Sequence, residues 1–64
     1  MYEMTIKYRN EEVDVFNVDF GAHDLYQMVS HDTNALIFYD EEGKEQVIYQ
    51  DAIQKITFSD ADDD

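Results

Sequence analysis

The sequence predicts a small α+β domain of order ββαβββ, in which an antiparallel sheet has one short helix packed across it. Three observations carry this prediction. Apolar and polar side chains alternate in several short segments, one stretch has helical spacing, and turn-forming residues separate the segments. At 64 residues the chain is expected to form a single domain over residues 1–59, followed by a disordered acidic tail at residues 60–64.

Two strands are expected to open the chain. Residues 2–9 alternate cleanly, and one face carries Tyr2, Met4, Ile6 and Tyr8. Asn10 is suited to the tight turn that follows, because asparagine tolerates the left-handed backbone. Residues 13–20 continue as a second strand, whose apolar phase changes between Val15 and Phe16. This change indicates either a β-bulge or partial cover on both faces.

A short helix is predicted over residues 22–31. Its apolar stripe consists of Ala22, Leu25, Met28 and Val29. Asp24 lies in the first turn and His31 in the last, where the helix macrodipole favours an acidic and a basic side chain respectively. A helix of this length depends on tertiary packing, so we expect it to lie on the sheet.

Three strands complete the predicted order, at residues 35–39, 45–50 and 53–59. The connection between the first two is a hairpin loop in which Gly43 supplies the positive φ of a G1 bulge. Proline is absent, so every strand can donate its backbone hydrogen bonds. The predicted inward set is Met4, Ile6, Tyr8, Phe16, Val18, Phe20, Leu25, Met28, Val29, Leu36, Phe38, Val47, Tyr49, Ile56 and Phe58.

Charge is the most unusual property of the chain. Sixteen carboxylates stand against four cations, and the formal net charge is −12 at pH 7. Solubility requires far less charge, and self-repulsion destabilises a compact state, so a basic partner surface is a natural explanation. The same charge opposes direct binding to nucleic acids and to anionic membranes. Together with the absence of cysteine, it fits a cytoplasmic protein.

Catalytic and metal-binding patterns are not recognisable. Serine occurs only at Ser30 and Ser59, and histidine only at His23 and His31, without the spacing of a nucleophile and its base. The acidic loop around Gly43 departs from an EF-hand, because glycine falls at the fourth rather than the sixth position. We therefore expect neither an enzyme nor a cofactor or metal site.

The acidic residues cluster in and beside two predicted turns and in the tail, where Asp60, Asp62, Asp63 and Asp64 are grouped. The candidate partner-binding residues are Glu11, Glu12, Asp14, Asp40, Glu41, Glu42 and Glu45. Tyr26, Tyr39 and Tyr49 are candidate anchors, because tyrosine is a preferred interface residue, although an amphipathic rim around the core would explain them equally well. A purely solvating, aggregation-resistant surface is the alternative interpretation of the carboxylates.

In size, charge and predicted element order, the chain resembles small phage- or prophage-encoded inhibitors that act as DNA mimics, such as anti-CRISPR proteins. The resemblance implies a non-enzymatic inhibitor in a bacterial host cell. It would bind the basic nucleic-acid-binding surface of a host protein, such as a CRISPR nuclease or another DNA-binding protein. The alternative function is a small interaction module or homodimer that pairs through a β-strand edge, with the charge serving solubility.

Overall fold

Two three-stranded antiparallel sheets form the domain in a computed structural model that describes residues 1–60. The first sheet has the order β2-β1-β6, with β1 at Tyr2–Tyr8, β2 at Val13–Val18 and β6 at Ile53–Asp60. The second has the order β3-β4-β5, with β3 at Val29–Ser30, β4 at Ala35–Tyr39 and β5 at Glu45–Tyr49. The predicted small α+β class is confirmed, but the strands belong to two sheets rather than one.

The connection after β5 divides the strands between the two sheets. Gln50–Ala52 forms a short 3-10 helix, and β6 then pairs with β1. The backbone N–H of Arg9 donates to the carbonyl of Ala52 at 2.9 Å, which fixes the crossing to the end of β1. As a result β1 is the central strand of the first sheet. Asp60, assigned by the sequence to the tail, ends β6 opposite Tyr2, and the rest of the predicted tail lies outside the described residues.

The predicted helix over residues 22–31 is wrong in type and in length. Ala22–Met28 forms a 3-10 helix, and Val29 and Ser30 form β3. So short a segment has little intrinsic helical stability, and Gly21 at its start provides no side-chain cap. Val29 and Ser30 instead gain a ladder with β4. The inner face of the first sheet is therefore covered mainly by the second sheet, and each residue of the 3-10 helix stays at least partly exposed.

The core lies between the inner faces of the two sheets. Its most buried side chains are Met4, Ile6, Val18, Phe20, Leu36 and Phe38. Phe38 makes edge-to-face ring contacts with Phe16 and Phe20, at centroid distances of 5.1 and 6.0 Å. Phe20 makes a third with Phe58 at 6.1 Å. Since Phe58 and Phe16 belong to the first sheet and Phe38 to the second, these rings join the two sheets.

The predicted inward face of β5 is wrong. Val47 and Tyr49 are 49% and 61% exposed, whereas Ile48 packs against the core. Directly opposed residues of an antiparallel pair point to the same face, and the register places Ile48 opposite the buried Leu36. The β4–β5 turn sets this register and therefore determines which face of β5 points inward. A register shift of one residue would move every side chain of β5 to the opposite face.

The apolar phase change in β2 does not reflect a bulge. The strand pairs with β1 without interruption, and Val13 and Val15 stand opposite Lys7 and Thr5 on the outer face of the first sheet. Both valines are about half exposed. The bulge alternative is therefore wrong; the ladder irregularity of this sheet lies between β1 and β6, at Lys7 and Tyr8.

The two hairpin turns share one hydrogen-bond pattern. In the β4–β5 turn, Asp40 N–H donates to the Lys44 carbonyl and Gly43 N–H to the Asp40 carbonyl, both at 3.0 Å. Gly43 has φ +81°, so its predicted positive φ is confirmed. This pattern is that of a three-residue loop in which a left-handed residue forms a G1 bulge.

The β1–β2 turn places a glutamate where the other turn has glycine. Tyr8 N–H donates to the Glu12 carbonyl at 2.8 Å and Glu11 N–H to the Tyr8 carbonyl at 3.0 Å. Glu11, not Asn10, is the left-handed residue, with φ +75°. The Asn10 side chain instead accepts the Glu12 N–H at 3.0 Å. The turn therefore carries backbone strain at a carboxylate that the sequence marks as a candidate binding residue.

Replacing Glu11 with glycine should stabilise the domain by about 1 kcal/mol, because glycine removes the left-handed penalty of roughly 1–2 kcal/mol. The exposed Glu11–Lys7 ion pair at 3.6 Å would be lost, at a cost of a few tenths of a kcal/mol. Urea unfolding measures the change. Gly43→Ala is the matched control and should destabilise by a similar amount, since its Cβ would meet nothing within 4 Å and the cost is purely conformational. A destabilised Glu11→Gly variant would contradict this account.

Candidate binding surface

The fold collects most of the predicted acidic residues along one edge strand. Glu11 and Glu12 precede β2, and Asp14 lies within it. The β4–β5 turn approaches the other half of the same strand, where the Asn17 amide donates a long hydrogen bond to Glu41 at 3.4 Å. A shallow concavity of about 180 Å³ between them is lined by residues 15–17 and 40–42. We call this surface the β2 acidic edge: Glu11, Glu12, Asp14, Asp40, Glu41 and Glu42.

The β2 acidic edge has the dimensions of a short nucleic acid segment. At about 3.4 Å per residue, the strand at Val13–Val18 extends over roughly 20 Å. One strand of a duplex carries a phosphate charge about every 3.4 Å along the axis. The strand is therefore about as long as six successive phosphates of one duplex strand. Among the carboxylates of the β2 acidic edge, only that of Asp14 belongs to the strand itself, and the others lie in the two flanking turns.

The remaining predicted residues lie elsewhere. Glu45 stands opposite Tyr39 on the outer face of the second sheet, away from β2. The same face carries Tyr49, Ile37 and Val47. Tyr26, in the 3-10 helix, contacts the ring of His31 at 5.8 Å. All three predicted anchors are exposed, Tyr26 by 73%, Tyr39 by 64% and Tyr49 by 61%. The three tyrosines are thus not grouped along β2, although Tyr39 lines a groove together with Asp40 and Glu41.

A groove lies between the end of β2 and the end of β4. It has a volume of about 430 Å³, and we call it the β4 groove. Its apolar lining includes Phe20, Met28 and Phe38, and its carboxylate residues are Asp19, Asp40 and Glu41. Sequence reasoning did not select Asp19. Its position directly after β2 and before the buried Phe20 is the signal that would have found it, because strand ends place polar side chains beside the core.

Asp40 holds the β4–β5 turn together. One carboxylate oxygen accepts the backbone N–H groups of Glu42 and Lys44, both at 2.9 Å, and the other accepts the Gln46 amide at 2.9 Å. These hydrogen bonds, led by that from Lys44, lower the pKa of Asp40 below its ordinary value. Asp40 therefore shapes the β2 acidic edge, and its lowered pKa keeps it charged to a lower pH than an ordinary aspartate.

This lowered pKa predicts an acid-dependent loss of stability. The carboxylate form of Asp40 stabilises the fold at any pH above its unfolded-state pKa, and that contribution is lost as the pH falls through the lower folded-state value. Asp40→Asn should be less stable than the wild type at neutral pH, and the difference should shrink as the solution is acidified. Urea unfolding at several pH values measures this, with Asp51→Asn as a control on the second 3-10 helix. A difference that does not change with pH would contradict the prediction.

Asp14 is engaged by Tyr8 across the β1–β2 pair. The Tyr8 hydroxyl donates to the Asp14 carboxylate at 2.8 Å. Partial burial, the hydrogen bond to Asp14 and the charges of Asp14 and Glu12 together raise the pKa of Tyr8 to about 12. The tyrosine thus remains a hydrogen-bond donor at neutral pH, and it fixes the orientation of one carboxylate of the β2 acidic edge.

Cations neutralise little of this surface. Lys7 pairs with Glu11 at 3.6 Å and Lys44 with Glu42 at 3.4 Å, and all four side chains are exposed. Asp60 aside, the other carboxylates of the described chain have no lysine, arginine or histidine nitrogen within 4.0 Å. Lys7 and Lys55 stand opposite each other on the outer face of the first sheet. The positive and negative charges are therefore unevenly distributed.

Within residues 1–60 no three histidine or acidic side chains are grouped closely enough to hold a metal ion. In the same range, none of the helices has the length and apolar character needed to cross a membrane. The chain matches no protein-family model, and no curated protein or solved structure is significantly similar to it. Fold and surface together define a small α+β domain of two antiparallel sheets with an acidic edge strand.

Proposed function

We propose that this protein is a non-enzymatic inhibitor that binds the basic nucleic-acid-binding surface of a host protein through the β2 acidic edge. It would act in the cytoplasm of a bacterial cell. The partner would be a CRISPR nuclease or another DNA-binding protein, whose lysine and arginine side chains would contact the carboxylates in place of phosphates. Nucleic acid and inhibitor would then compete for one site.

The observation that carries this proposal is the convergence of two acidic turns on one strand edge. Glu11 and Glu41 are far apart in the sequence, yet both turns flank β2. A charge that served only solubility would have no reason to be concentrated there, because like charges brought together destabilise the folded state. Carboxylates that stay grouped on one edge despite this repulsion are expected of a functional surface.

The charge distribution also supports a directed contact. The β2 acidic edge carries its carboxylates beside a sheet face that displays Lys7 and Lys55. A partner with a basic groove would attract the edge more strongly than that face, where Lys55 stands opposite Lys7 and Lys7 is itself paired with Glu11. The geometry thus favours one orientation of binding, in which the edge enters the groove and the outer face of the first sheet points away.

Competition with nucleic acid tests the proposal. Partners are captured from bacterial lysate and identified by mass spectrometry, and each purified partner is then titrated with inhibitor while it holds a labelled duplex. The expected result is release of the duplex in proportion to bound inhibitor. Formation of a ternary complex, with duplex and inhibitor bound together, would overturn the proposal.

A further inference from the structure

The second sheet has an open strand edge beside the β4 groove. The two-residue strand β3 pairs only with Leu36 and Ala35. Beyond them, residues 37–39 of β4 have β5 on one side, and over residues 1–60 no strand lies on the other. Asp40 N–H donates to the Lys44 carbonyl at the end of the β4–β5 ladder. Hydrogen-bonded positions alternate along an antiparallel pair, so the even-numbered residues of β4 exchange hydrogen bonds with β5. Alternation therefore directs the backbone N–H and carbonyl groups of Ile37 and Tyr39 towards the open side.

The β4 groove lies along this open edge. Residues 37–39 line it together with the apolar side chains of Phe20 and Met28. Recognition by strand addition needs two components, which are outward-pointing backbone groups and an adjacent apolar depression. The backbone ladder supplies affinity, and the depression selects a side chain. A volume of about 430 Å³ is enough for a few side chains of an extended segment.

We propose that the β4 groove holds an extended segment of a basic partner protein, added as a strand to the open edge of β4. Apolar side chains of that segment enter the groove, and neighbouring lysine or arginine side chains contact Asp19 and Glu41. The inference rests on the proposed function only in taking the partner to be basic. It adds a backbone contact that charge complementarity alone does not provide.

Charge excludes two other occupants of the β4 groove, namely the C-terminal end of this chain and a second copy of the protein. The chain beyond the described residues reads Ala-Asp-Asp-Asp, and these carboxylates would be repelled by Asp19, Asp40 and Glu41. A second copy paired edge to edge would bring two such carboxylate sets together, with a net charge of −12 on each chain. A lysine-rich strand meets neither penalty, and it supplies counter-charge to Asp19 and Glu41, which form no ion pair within the described residues.

Two synthetic peptides with equal charge test the strand contact. One has the sequence Lys-Val-Lys-Val-Lys-Val-Lys, and the other has the same sequence with every backbone nitrogen methylated. The first should bind the full-length protein at least about 10-fold more tightly, as expected for a pair of backbone hydrogen bonds. It should also slow amide exchange at Tyr39. Equal binding of the two peptides, with unchanged exchange at Tyr39, would overturn the inference.

Two variants at one position separate the backbone from the side chain. Tyr39→Pro removes the outward N–H without breaking the ladder with β5, because that N–H points away from β5. Tyr39→Val keeps the N–H and removes the aromatic ring. The preference for the unmethylated peptide should disappear in the proline variant and persist in the valine variant. Should Tyr39→Pro fail to fold by circular dichroism, amide exchange in the wild type decides the question.

The result is distinguishable from failure of the proposed function. The competition experiment with duplex uses no peptide, so it can fail while the protein still prefers the unmethylated peptide. Equally, the duplex can be released while the two peptides bind alike. A concentration-dependent dimer by sedimentation, with Tyr39 protected from exchange in the absence of peptide, would show that a second copy occupies the edge. That outcome would overturn the basic partner as occupant.

Discussion

Replacing Phe38 with alanine should remove a large part of the protein's free energy of unfolding. Phe38 is 2% exposed, and its ring contacts Phe16 and Phe20, so its loss leaves a cavity where the two sheets meet. Such a truncation costs about 3–5 kcal/mol. A chain of 64 residues has roughly 3–10 kcal/mol of stability at the usual values per residue. The loss is therefore comparable with the whole free energy of unfolding.

Circular dichroism and urea unfolding measure the effect of Phe38→Ala. The matched control is Tyr39→Ala, because Tyr39 is the next residue of β4 but points to the opposite, exposed face. The control should unfold close to the wild type. If Phe38→Ala retained the wild-type midpoint, the aromatic contacts between the sheets would not be the main stabilising element.

Reversing the charge of the β4–β5 turn should weaken the complex with a basic partner and reduce its dependence on salt. For the wild type, raising salt from about 50 to about 200 mM should lower the affinity by orders of magnitude, as happens when many phosphate contacts are screened. Glu41→Lys with Glu42→Lys should slow association by at least about tenfold at low salt, since exposed charges act through steering. Both residues are in the turn, outside the core.

Surface plasmon resonance against an identified partner at several salt concentrations tests this prediction. Asp32→Lys with Asp51→Lys is the matched control, because it changes net charge equally. The Gln50 N–H bond to the Asn34 carbonyl places both residues at the far end of the second sheet from that turn. Nucleic acid mimicry by the β2 acidic edge predicts that the control slows association much less than Glu41→Lys with Glu42→Lys does. Equal effects of the two double variants would mean that net charge alone, and not the position of the β4–β5 turn, determines binding.

Elements whose pattern depends only on neighbouring residues were predictable from the sequence. Alternation identified β1, a short apolar run identified β4, and Gly43 identified the second hairpin turn. The face of β5 was not predictable, because both of its faces carry apolar residues and only the ladder with β4 decides between them. The 3-10 helix was mistaken for an α-helix because its apolar spacing fits either form. The strand pairing that shortened it involves residues beyond its own segment.

The candidate surface was predictable in composition but not in arrangement. Both acidic turns were evident from the sequence, whereas their meeting along β2 depends on how the second sheet packs against the first. The open side of β4 became visible only with the strand order, and Asp19 was missed because the sequence predicted that the second strand continues to residue 20. Conversely, Glu45 was selected by its position next to the turn, and strand alternation sends it to another face. Local charge density therefore overestimates the surface in some places and misses it in others.

Lys55 gives the molecule a polarity that its large net charge conceals. It belongs to the outer face of the first sheet and to the strand β6 on the far side of β1 from β2, while the carboxylates of the β2 acidic edge extend past the opposite side of that sheet. Such a separation amounts to an electric dipole moment, and a dipole in the field of a basic groove experiences a torque before any contact forms. The molecule would thus rotate during its approach, so that fewer collisions occur in the wrong orientation.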